Sequence, residues 1–414
     1  MNYLEFVAAG QHGRTFPVFL TLLATIFGAS ATLGVAEKAE TIGFPAAWWL
    51  FSGAVGLAAQ GVLLSARIRS SGARTLPELA RLSVGPGAQR LVAAVIVLAW
   101  PAVVAAQLLA FADLWIALAG GGKTLPVAVC AATVVGYTFV GGQRAVVRTD
   151  GPQLFVLAAG FAGLFLWIFS GRCGGTPVPA DAVRLVSADF GPRAVVLSLL
   201  SVGGAYFLGP DIASRALLAR DGKTARRAAL AAAPALAAFG ALVALSGMWA
   251  AANVPGPGNP VLRIALRLPA GLKIGLAAGL FCAVLSSLDT CLVNAAAIAA
   301  GDLAGVRSVR ATRWAVLAVG AAATALALAG SDIIGMMLSA YSVYTPGVVP
   351  PLAVAIIAGR AQPRLWLAAV AAGGACGLAG AFVPRWETLG AFGMAVSSAL
   401  ALLSVRAAGA RKAA

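Results

Sequence analysis

The chain has 414 residues, of which 60% are hydrophobic and only 11% are charged. Soluble domains carry about 25% charged residues, so this composition excludes a soluble globular protein and predicts an all-α integral membrane protein. The formal net charge is +16, from 30 Lys and Arg against 14 Asp and Glu. The basic residues fall in short loops between apolar segments, where they report membrane topology, and we expect no nucleic-acid partner.

The chain has few residues that could support catalysis or hold a metal ion tightly. The single histidine, His12, precedes the first apolar segment, and the five cysteines show no metal-ligand spacing. Because His and Cys are the usual zinc ligands, we expect no zinc site, no organic cofactor and no enzymatic activity. Residues 1–14 are short and polar, and we expect a cytoplasmic N-terminus here and not a cleavable signal peptide.

Apolar segments of about 20 residues, long enough to cross a bilayer, recur along the whole chain. The loops between them are short, so we expect no soluble domain of useful size. The apolar segments predict about twelve transmembrane helices: Thr15–Ala39, Phe44–Ala66, Gln89–Leu118, Leu125–Val140, Gly151–Ser170, Ala194–Ala219, Ala228–Ala252, Lys273–Leu303, Trp314–Ala329, Ile333–Ala358, Leu365–Phe382 and Thr388–Val405.

The distribution of basic residues predicts the orientation in the membrane. With the N-terminus inside, 21 of the 30 Lys and Arg residues fall in the cytoplasmic segments. Cytoplasmic loops carry an excess of Lys and Arg. We therefore expect a multi-pass protein of the cell inner (plasma) membrane, in contact with the lipid bilayer, whose termini (1–14 and 406–414) are both cytoplasmic.

Glycines interrupt the first span near Gly28–Gly34 and the sixth span near Gly203–Gly209. The starts of the second and third spans recur in the seventh and eighth, so a unit of five spans repeats after 175 to 184 residues. Because five is odd, the second copy is inverted. The predicted repeats are 15–170 and 194–358, followed by two additional helices in 365–405. Glycine-interrupted helices at matching places in inverted halves indicate a transport site at the midplane, although 49 glycines also interrupt helices by chance.

The eighth span carries a polar face in an apolar setting. Ala283, Ser286, Ser287 and Thr290 share one side of a helix, and Asp289 lies beside them. Polar groups at membrane depth are costly and are usually kept for a function, so this face is a candidate site for a dehydrated cation. The alternative is structural, since Ser and Thr bond backbone carbonyls and small residues allow close helix packing.

Two further positions are candidates for ion movement. An unwound turn in Phe27–Gly34 would free carbonyls for a cation, unless its small residues serve close packing only. Asp150, near the start of the fifth span, is either a helix-start charge favoured by the dipole or a group that receives a cation leaving inward. On the second interpretation, Asp150→Ala impairs ion release and leaves folding intact. Asp211 is expected to pair with Arg215 one turn later.

Candidate solute-binding residues are small, amide and aromatic residues in the interrupted spans and in the third and tenth spans. The aromatic residues of the sixth span are placed to close over a solute, and the tyrosines of the tenth span either line a cavity or pack at a helix interface. The candidates are Ser30, Gly34, Gln107, Tyr206, Phe207, Tyr341 and Tyr344.

Four stretches carry a family resemblance, in the same order along the chain. They are Thr75–Ala80 (Thr-Leu-Pro-Glu-Leu-Ala), Gly141–Asp150 with Gln153, Tyr206–Arg215 followed by Ala225-Arg-Arg, and Ser286–Thr290 (Ser-Ser-Leu-Asp-Thr). Together they resemble segments of the sodium:solute symporter family, relatives of the proline, pantothenate, sialic acid and sugar cotransporters. The resemblance covers the ten core spans.

The resemblance implies the leucine-transporter fold, a 5+5 inverted repeat, here with two extra C-terminal helices. It also implies a sodium site formed by carbonyls of Ala29, Thr32 and Ala283 and hydroxyls of Ser286 and Ser287. The positions that match a second ion site or an exit path in some members are Asp150, Ser286, Asp289 and Thr290.

The functional hypothesis is a secondary active transporter that couples sodium influx to uptake of a small polar solute, an organic acid or an amino acid. Sodium is then the co-transported ion, and no obligatory protein partner is evident. One alternative is a proton-coupled or uncoupled transporter of the same fold, with Asp150 and Asp289 as proton carriers. Another is a transporter-like sensor that lacks transport.

Overall fold

The structure is a computed structural model that describes residues 2–171, 174–382 and 388–413. Short helices (Tyr3–Ala8, Ser65–Ser70, Leu76–Ser83 and Pro260–Arg267) lie outside the long ones. We number the long helices α1 (Thr15–Ile26 with Ser30–Ile42), α2 (Phe44–Leu63), α3 (Pro86–Ala119), α4 (124–141), α5 (143–169), α6 (Pro192–Leu218), α7 (Gly222–Asn253), α8 (Ala270–Leu303), α9 (Val309–Ala329), α10 (Ile333–Ala358), α11 (Pro363–Phe382) and α12 (Leu389–Ala413).

The helices α4 and α5 form one apolar run, Thr124–Phe169, of 46 residues. At 1.5 Å per residue this run is more than twice as long as a hydrocarbon core of about 30 Å. Gly142 divides it, with φ 54° and ψ −155°, a backbone conformation that favours glycine. A Cβ at Gly142 would also lie 2.6 Å from the carbonyl oxygen of Phe6. The described residues then hold twelve candidate spans. Nine are single helices, two are the halves α4 and α5 of the longest helix, and one is the bent pair α1.

The helices α5, α7 and α9 begin one to two turns before their predicted starts. Charged residues that the sequence analysis assigned to loops are part of these helices. Asp150 in particular lies inside α5 and is 0% exposed. The interpretation of Asp150 as a helix-start charge favoured by the dipole is therefore wrong.

Both predicted interruptions are present, and each is shorter than expected. The two parts of α1 are bent by 62° at Phe27 and Gly28, which are not helical. In α6, Gly209 is extended (φ −74°, ψ 150°) and Pro210 starts the next segment. Ser30–Gly34 forms a π-helical turn, so the unwound turn expected within Phe27–Gly34 is confined to Phe27 and Gly28.

The packing places the two interruptions at the centre of the helix bundle. Helix α8 lies against α1, α3 and the α4–α5 run, and α7 lies against α1 and α2. Helix α10 packs on α3 and α6, and on its outer side α11 and α12 pack on α10 and on each other. The interrupted helices α1 and α6 each open one of the predicted five-helix repeats, whose bounds, 15–170 and 194–358, stay predictions.

The segment around Glu78 ties the α2–α3 connection to the α8–α9 loop. Thr75 accepts a hydrogen bond from the N–H of Glu78 (3.3 Å) and so caps the short helix that follows. The Glu78 carboxylate pairs with Arg307 at 3.0 Å and with Arg74 and Arg81 at 3.4 Å each. Burial alone would raise the pKa of Glu78, but the Arg74 N–H and the guanidinium groups of Arg74 and Arg307 more than compensate and hold this pKa below its usual value.

The predicted orientation leads to a labelling experiment. In a variant whose five native cysteines are replaced, Leu82→Cys places a thiol at a residue that is 50% exposed in the segment predicted to be cytoplasmic. We expect an impermeant thiol reagent to label it only from the cytoplasmic side, because the basic residues of this segment stay inside.

The matched control is Val186→Cys, which is 43% exposed in the α5–α6 connection, predicted to lie outside. This thiol should be labelled only from the external side. Labelling of Leu82→Cys from outside would overturn the orientation and the inverted-repeat assignment with it.

Candidate cation site and central cavity

A small cavity of about 40 Å³ lies where the interruptions of α1 and α6 meet α3, α8 and α10. Two interrupted helices side by side leave backbone groups without helical partners, and these are the usual elements of a midplane transport site. The polar and aromatic residues that line the cavity are Thr25, Ser30, Trp100, Gln107, Tyr206, Asp211, Ser287, Cys291 and Tyr341.

The serines of α8 face the last turn of the first part of α1. The Ser286 hydroxyl donates to the carbonyls of Ala24 (2.9 Å) and Ala283 (3.1 Å). The Ser287 hydroxyl donates to the Thr25 carbonyl at 2.8 Å. The last four carbonyls of a helix lack intrahelical partners, so carbonyl and hydroxyl oxygens converge here from two helices. Such oxygens are the ligands that hard cations prefer.

Close approach of the two helices depends on a glycine. A Cβ at Gly28 would lie 2.3 Å from the Ser287 hydroxyl oxygen and 2.9 Å from the Gln107 amide oxygen. Neither distance is compatible with a side chain, so only glycine fits between α3 and α8 at this point. Gly28 therefore permits the contact between the end of the first α1 segment and the serines.

The structure brings Ala283, Ser286 and Ser287 together with α1, but the expected partners Ala29 and Thr32 are not the residues in contact. The Ala29 N–H donates to Gln107 (2.9 Å), and the Thr32 hydroxyl donates to the Gly28 carbonyl (2.9 Å). Both residues lie beyond the break, in the second α1 segment. The carbonyls that face the serines come from the turn before the break, because that is where the helix ends.

A buried ion pair lies next to these serines. Arg215 of α6 and Asp150 of α5 are both 0% exposed, and their charged atoms are 3.2 Å apart. The Arg215 guanidinium also donates to the hydroxyls of Thr25 (2.9 Å) and Thr290, and the Thr21 hydroxyl donates to Asp150. Asp150 and Arg215 thereby join α1, α5, α6 and α8. The expected pairing of Arg215 with Asp211 is wrong.

The residues expected to form a second ion site have hydrogen-bond partners within the protein. Asp150 and Thr290 both contact the guanidinium of Arg215, and Thr290 donates to the Ser286 carbonyl (2.9 Å). Asp289 accepts a hydrogen bond from the Tyr137 hydroxyl (2.8 Å). The cation that lies among these oxygens is therefore the Arg215 guanidinium, a group of the protein itself. One carboxylate oxygen of Asp150, Oδ1, has no hydrogen-bond partner among the described residues.

Asp211 is a second buried carboxylate, and it lies in the cavity wall. It accepts hydrogen bonds from the Trp100 indole N–H (2.8 Å), the Asn294 amide (3.1 Å) and the Cys291 thiol (3.4 Å). Three donors from α3 and α8 thus hold one carboxylate at the start of the second α6 segment.

Four of the seven predicted solute-binding residues line the cavity: Ser30, Gln107, Tyr206 and Tyr341. The other three lie elsewhere. Gly34 packs against Ile334, where a Cβ would be 2.8 Å from the Ile334 side chain, and Phe207 is not part of the cavity lining. The Tyr344 hydroxyl donates to the Leu208 carbonyl, so Tyr344 fixes the end of the α6 segment before the break.

Sequence reasoning missed several residues of the site, among them Ala24, Thr25, Trp100 and Cys291, and it misassigned Arg215. A signal for Arg215 was available, because an Arg and an Asp inside two different apolar spans are each too costly to bury alone. No sequence signal marks Trp100 as the partner of Asp211, since they are 111 positions apart.

Comparisons with known proteins concern the family and the fold of the chain. The profile of the sodium:solute symporter family matches residues 6–373. Among solved structures, a Na⁺-coupled sialic acid symporter in a substrate-bound outward-open state aligns with a TM-score of 0.77 and 14% identity, over 97% of this chain and 91% of that one. Mhp1, a nucleobase-cation-symport-1 family transporter in a closed conformation, aligns with a TM-score of 0.68 and 13% identity, over 97% and 94%. No curated protein sequence matches the chain significantly.

Proposed function

The chain belongs to the sodium:solute symporter family and has the leucine-transporter fold, and from this premise we propose where its sodium ion and its solute bind. Sodium binds between the last turn of the first α1 segment and the α8 residues Ala283, Ser286 and Ser287. The solute binds in the central cavity. The contact of two α8 hydroxyls with carbonyls of α1, beside that cavity, carries the proposal.

Sodium would replace the hydroxyl protons as the partner of these carbonyls. In the present arrangement the Ser286 and Ser287 hydroxyls donate to Ala24 and Thr25. A sodium ion between them would let both carbonyls and both hydroxyl oxygens coordinate the cation, because hydroxyl oxygens can turn their lone pairs toward it. The ion would thus hold the first α1 segment against α8.

Coupling follows from the shared wall of the two sites. Thr25 and Ser287 belong both to the proposed ion site and to the lining of the cavity. An ion that fixes their positions would order part of the solute site, so each ligand would favour binding of the other. Binding of both would shift the population between outward-open and inward-open states.

Asp150, Asp289 and Thr290 fit an exit path better than a second resident ion. The guanidinium of Arg215 lies between Asp150 and Thr290, so a second sodium would face an internal positive charge. The free oxygen of Asp150 offers a transient ligand to an ion that leaves the Ser286 region. On this basis a single sodium ion moves in each cycle.

The solute is a small polar molecule, an organic acid or an amino acid, taken up across the cell inner membrane by a protein with both termini in the cytoplasm. The cavity wall offers hydroxyl, amide and aromatic groups and a single carboxylate. This set suits recognition by directed hydrogen bonds within a small volume.

Thermal stabilisation of the purified protein tests the proposal. We expect sodium, but not potassium at equal ionic strength and pH, to raise the unfolding temperature, and a transported solute to raise it further only when sodium is present. A ligand at 100 times its dissociation constant adds about 2.7 kcal/mol of stability.

Solutes that stabilise the protein are then tested for uptake into proteoliposomes. Uptake should require an inward sodium gradient. Equal uptake in potassium at fixed pH would replace sodium coupling by proton coupling or uncoupled transport, and binding without uptake would favour a transporter-like sensor.

A further inference from the structure

We propose that the solute carries a positively charged nitrogen, which binds between the carboxylate of Asp211 and the aromatic rings of Trp100 and Tyr341. The inference rests on the proposal that the central cavity is the solute site, and it narrows the solute class to amino acids and other ammonium compounds. It follows from the charge, the hydrogen bonding and the aromatic surroundings of Asp211.

The cavity wall contains one carboxyl group. Among the described residues that line it, Asp211 is the only acidic or basic one. None of the ion pairs among the described residues includes Asp211. Arg215, one turn later on the same helix, contacts Asp150, Thr25 and Thr290 instead. The site therefore offers a carboxyl group that has no direct ion-pair partner among the described residues.

The hydrogen bonds to Asp211 orient the carboxylate and leave one lone-pair position without a protein donor. A carboxylate has about four lone-pair positions, and Trp100, Asn294 and Cys291 occupy three. Burying a charge is costly unless it is paired as well as hydrogen-bonded. A cationic nitrogen that enters the cavity would complete this environment, whereas a solute with only a carboxylate would be repelled.

Aromatic rings form the other part of the wall. Trp100 and Tyr341 line the cavity, with ring centroids 6.4 Å apart. Trp100 contacts Tyr344 edge-on at 5.0 Å, and Tyr341 stacks on Trp49 at 6.2 Å, so both rings are held in place. Aromatic faces attract cations, and aromatic cages recognise alkylated ammonium groups in particular. A carboxylate beside fixed aromatic rings is thus matched to an ammonium group, with or without methyl substituents.

The test uses a series of small compounds that differ mainly at one position. Glycolate has a hydroxyl where glycine, sarcosine and glycine betaine have an ammonium group with zero, one or three methyl groups, and choline carries the ammonium group without a carboxylate. Thermal shift titrations of the purified full chain in sodium should show stabilisation by at least one nitrogen compound and none by glycolate.

Variants assign the effect to the named residues. Asp211→Asn keeps the shape and should weaken binding of the stabilising compound roughly tenfold to a hundredfold, as expected for loss of a charged hydrogen-bond partner. Asp302→Asn is the matched control, because Asp302 is also buried and hydrogen-bonded, to Gln89 at 2.6 Å, outside the cavity; it should bind as the wild type does. Tyr341→Leu should also weaken binding, and Tyr341→Phe, which keeps the ring, should not.

Each of the following results would overturn the inference: stabilisation by glycolate equal to that by glycine, no stabilisation by any nitrogen compound, or unchanged binding in both Asp211→Asn and Tyr341→Leu. If Asp211→Asn differs from the wild type only in the pH dependence of solute binding, Asp211 is a proton carrier. This result would also overturn the inference. If sodium alone still stabilises the protein in these cases, the transporter proposal stands and only the solute class is wrong. If sodium alone has no effect, the proposed sodium site fails and the inference falls with it.

Discussion

Replacing Asp150 with alanine is expected to destabilise the folded protein by about 3–5 kcal/mol, the usual loss when one partner of a buried ion pair is removed. Arg215 is 0% exposed and would keep its charge in the membrane interior with only hydroxyl partners. This revises the sequence-based expectation that Asp150→Ala folds normally. The measurement is the unfolding temperature of the purified protein, together with the yield of monodisperse protein in detergent.

Control variants distinguish the loss of the buried ion pair from a general loss of stability when any charge is removed. Arg215→Met should destabilise to a similar extent, and the double variant Asp150→Ala with Arg215→Met should recover much of the loss, because no unpaired charge remains. Asp221→Asn removes a carboxylate from an exposed pair with Arg220 and should have no measurable effect. A stable Asp150→Ala variant and no recovery in the double variant would show that the pair does not hold the four helices together.

Replacing Ser286 or Ser287 with alanine is expected to lower the apparent sodium affinity roughly tenfold or more. Each substitution removes one hydroxyl ligand, and a hydrogen-bond-scale interaction with a charge contributes about 1.5–3 kcal/mol. Solute affinity should fall only in the presence of sodium, because the two binding events are linked. The measurement is a sodium titration of thermal stability at constant ionic strength, with and without a stabilising solute.

Ser246→Ala is the matched control for the two serine variants. Ser246 is also 0% exposed, and its hydroxyl donates to a backbone carbonyl, that of Leu242, at 2.9 Å, but it lies in α7 away from α8. All three substitutions remove one buried hydroxyl, so their structural costs should be alike. Only the two α8 variants should change the sodium response. A wild-type sodium response in both would make the hydroxyls packing features.

The sequence was sufficient for the helices, and the α8 half of the proposed ion site rests on the same residues that the sequence predicted. Hydrophobic segments locate the spans because each must cover the bilayer thickness, and glycines at Gly28 and Gly209 mark the interruptions. The spacing of Ser286 and Ser287 on one helix face also follows from the sequence alone. The α8 contribution to the proposed site was therefore predictable.

The α1 carbonyls of the proposed site lie one to two turns before those that the sequence predicted, for a physical reason. The small residues from Phe27 to Gly34 predict an unwound turn without fixing its position, and only Phe27 and Gly28 leave the helix. The carbonyls of the preceding turn then become free, at Ala24 and Thr25, where the sequence shows ordinary helix-compatible residues. A backbone ligand has no side-chain signature, so its position depends on where the helix ends.

The sequence also did not predict which charged residues pair between distant spans. Arg215 pairs with Asp150 across 65 positions, although Asp211 is the nearer acid in the sequence. The i, i+4 rule concerns exposed helix faces, whereas these residues point toward different neighbours inside the bundle. Only the packing of α5 against α1, α6 and α8 decides which carboxylate meets the guanidinium.

Equilibrium binding of radioactive sodium to the purified protein tests the proposed sodium site most directly. With potassium replacing sodium to keep ionic strength constant, the wild type and Ser246→Ala should bind sodium saturably, about one ion per chain. The double variant Ser286→Ala with Ser287→Ala should lose this binding while keeping its fold. Saturable binding of wild-type affinity in the double variant, or no saturable binding by the wild type, would contradict a sodium site between α1 and α8.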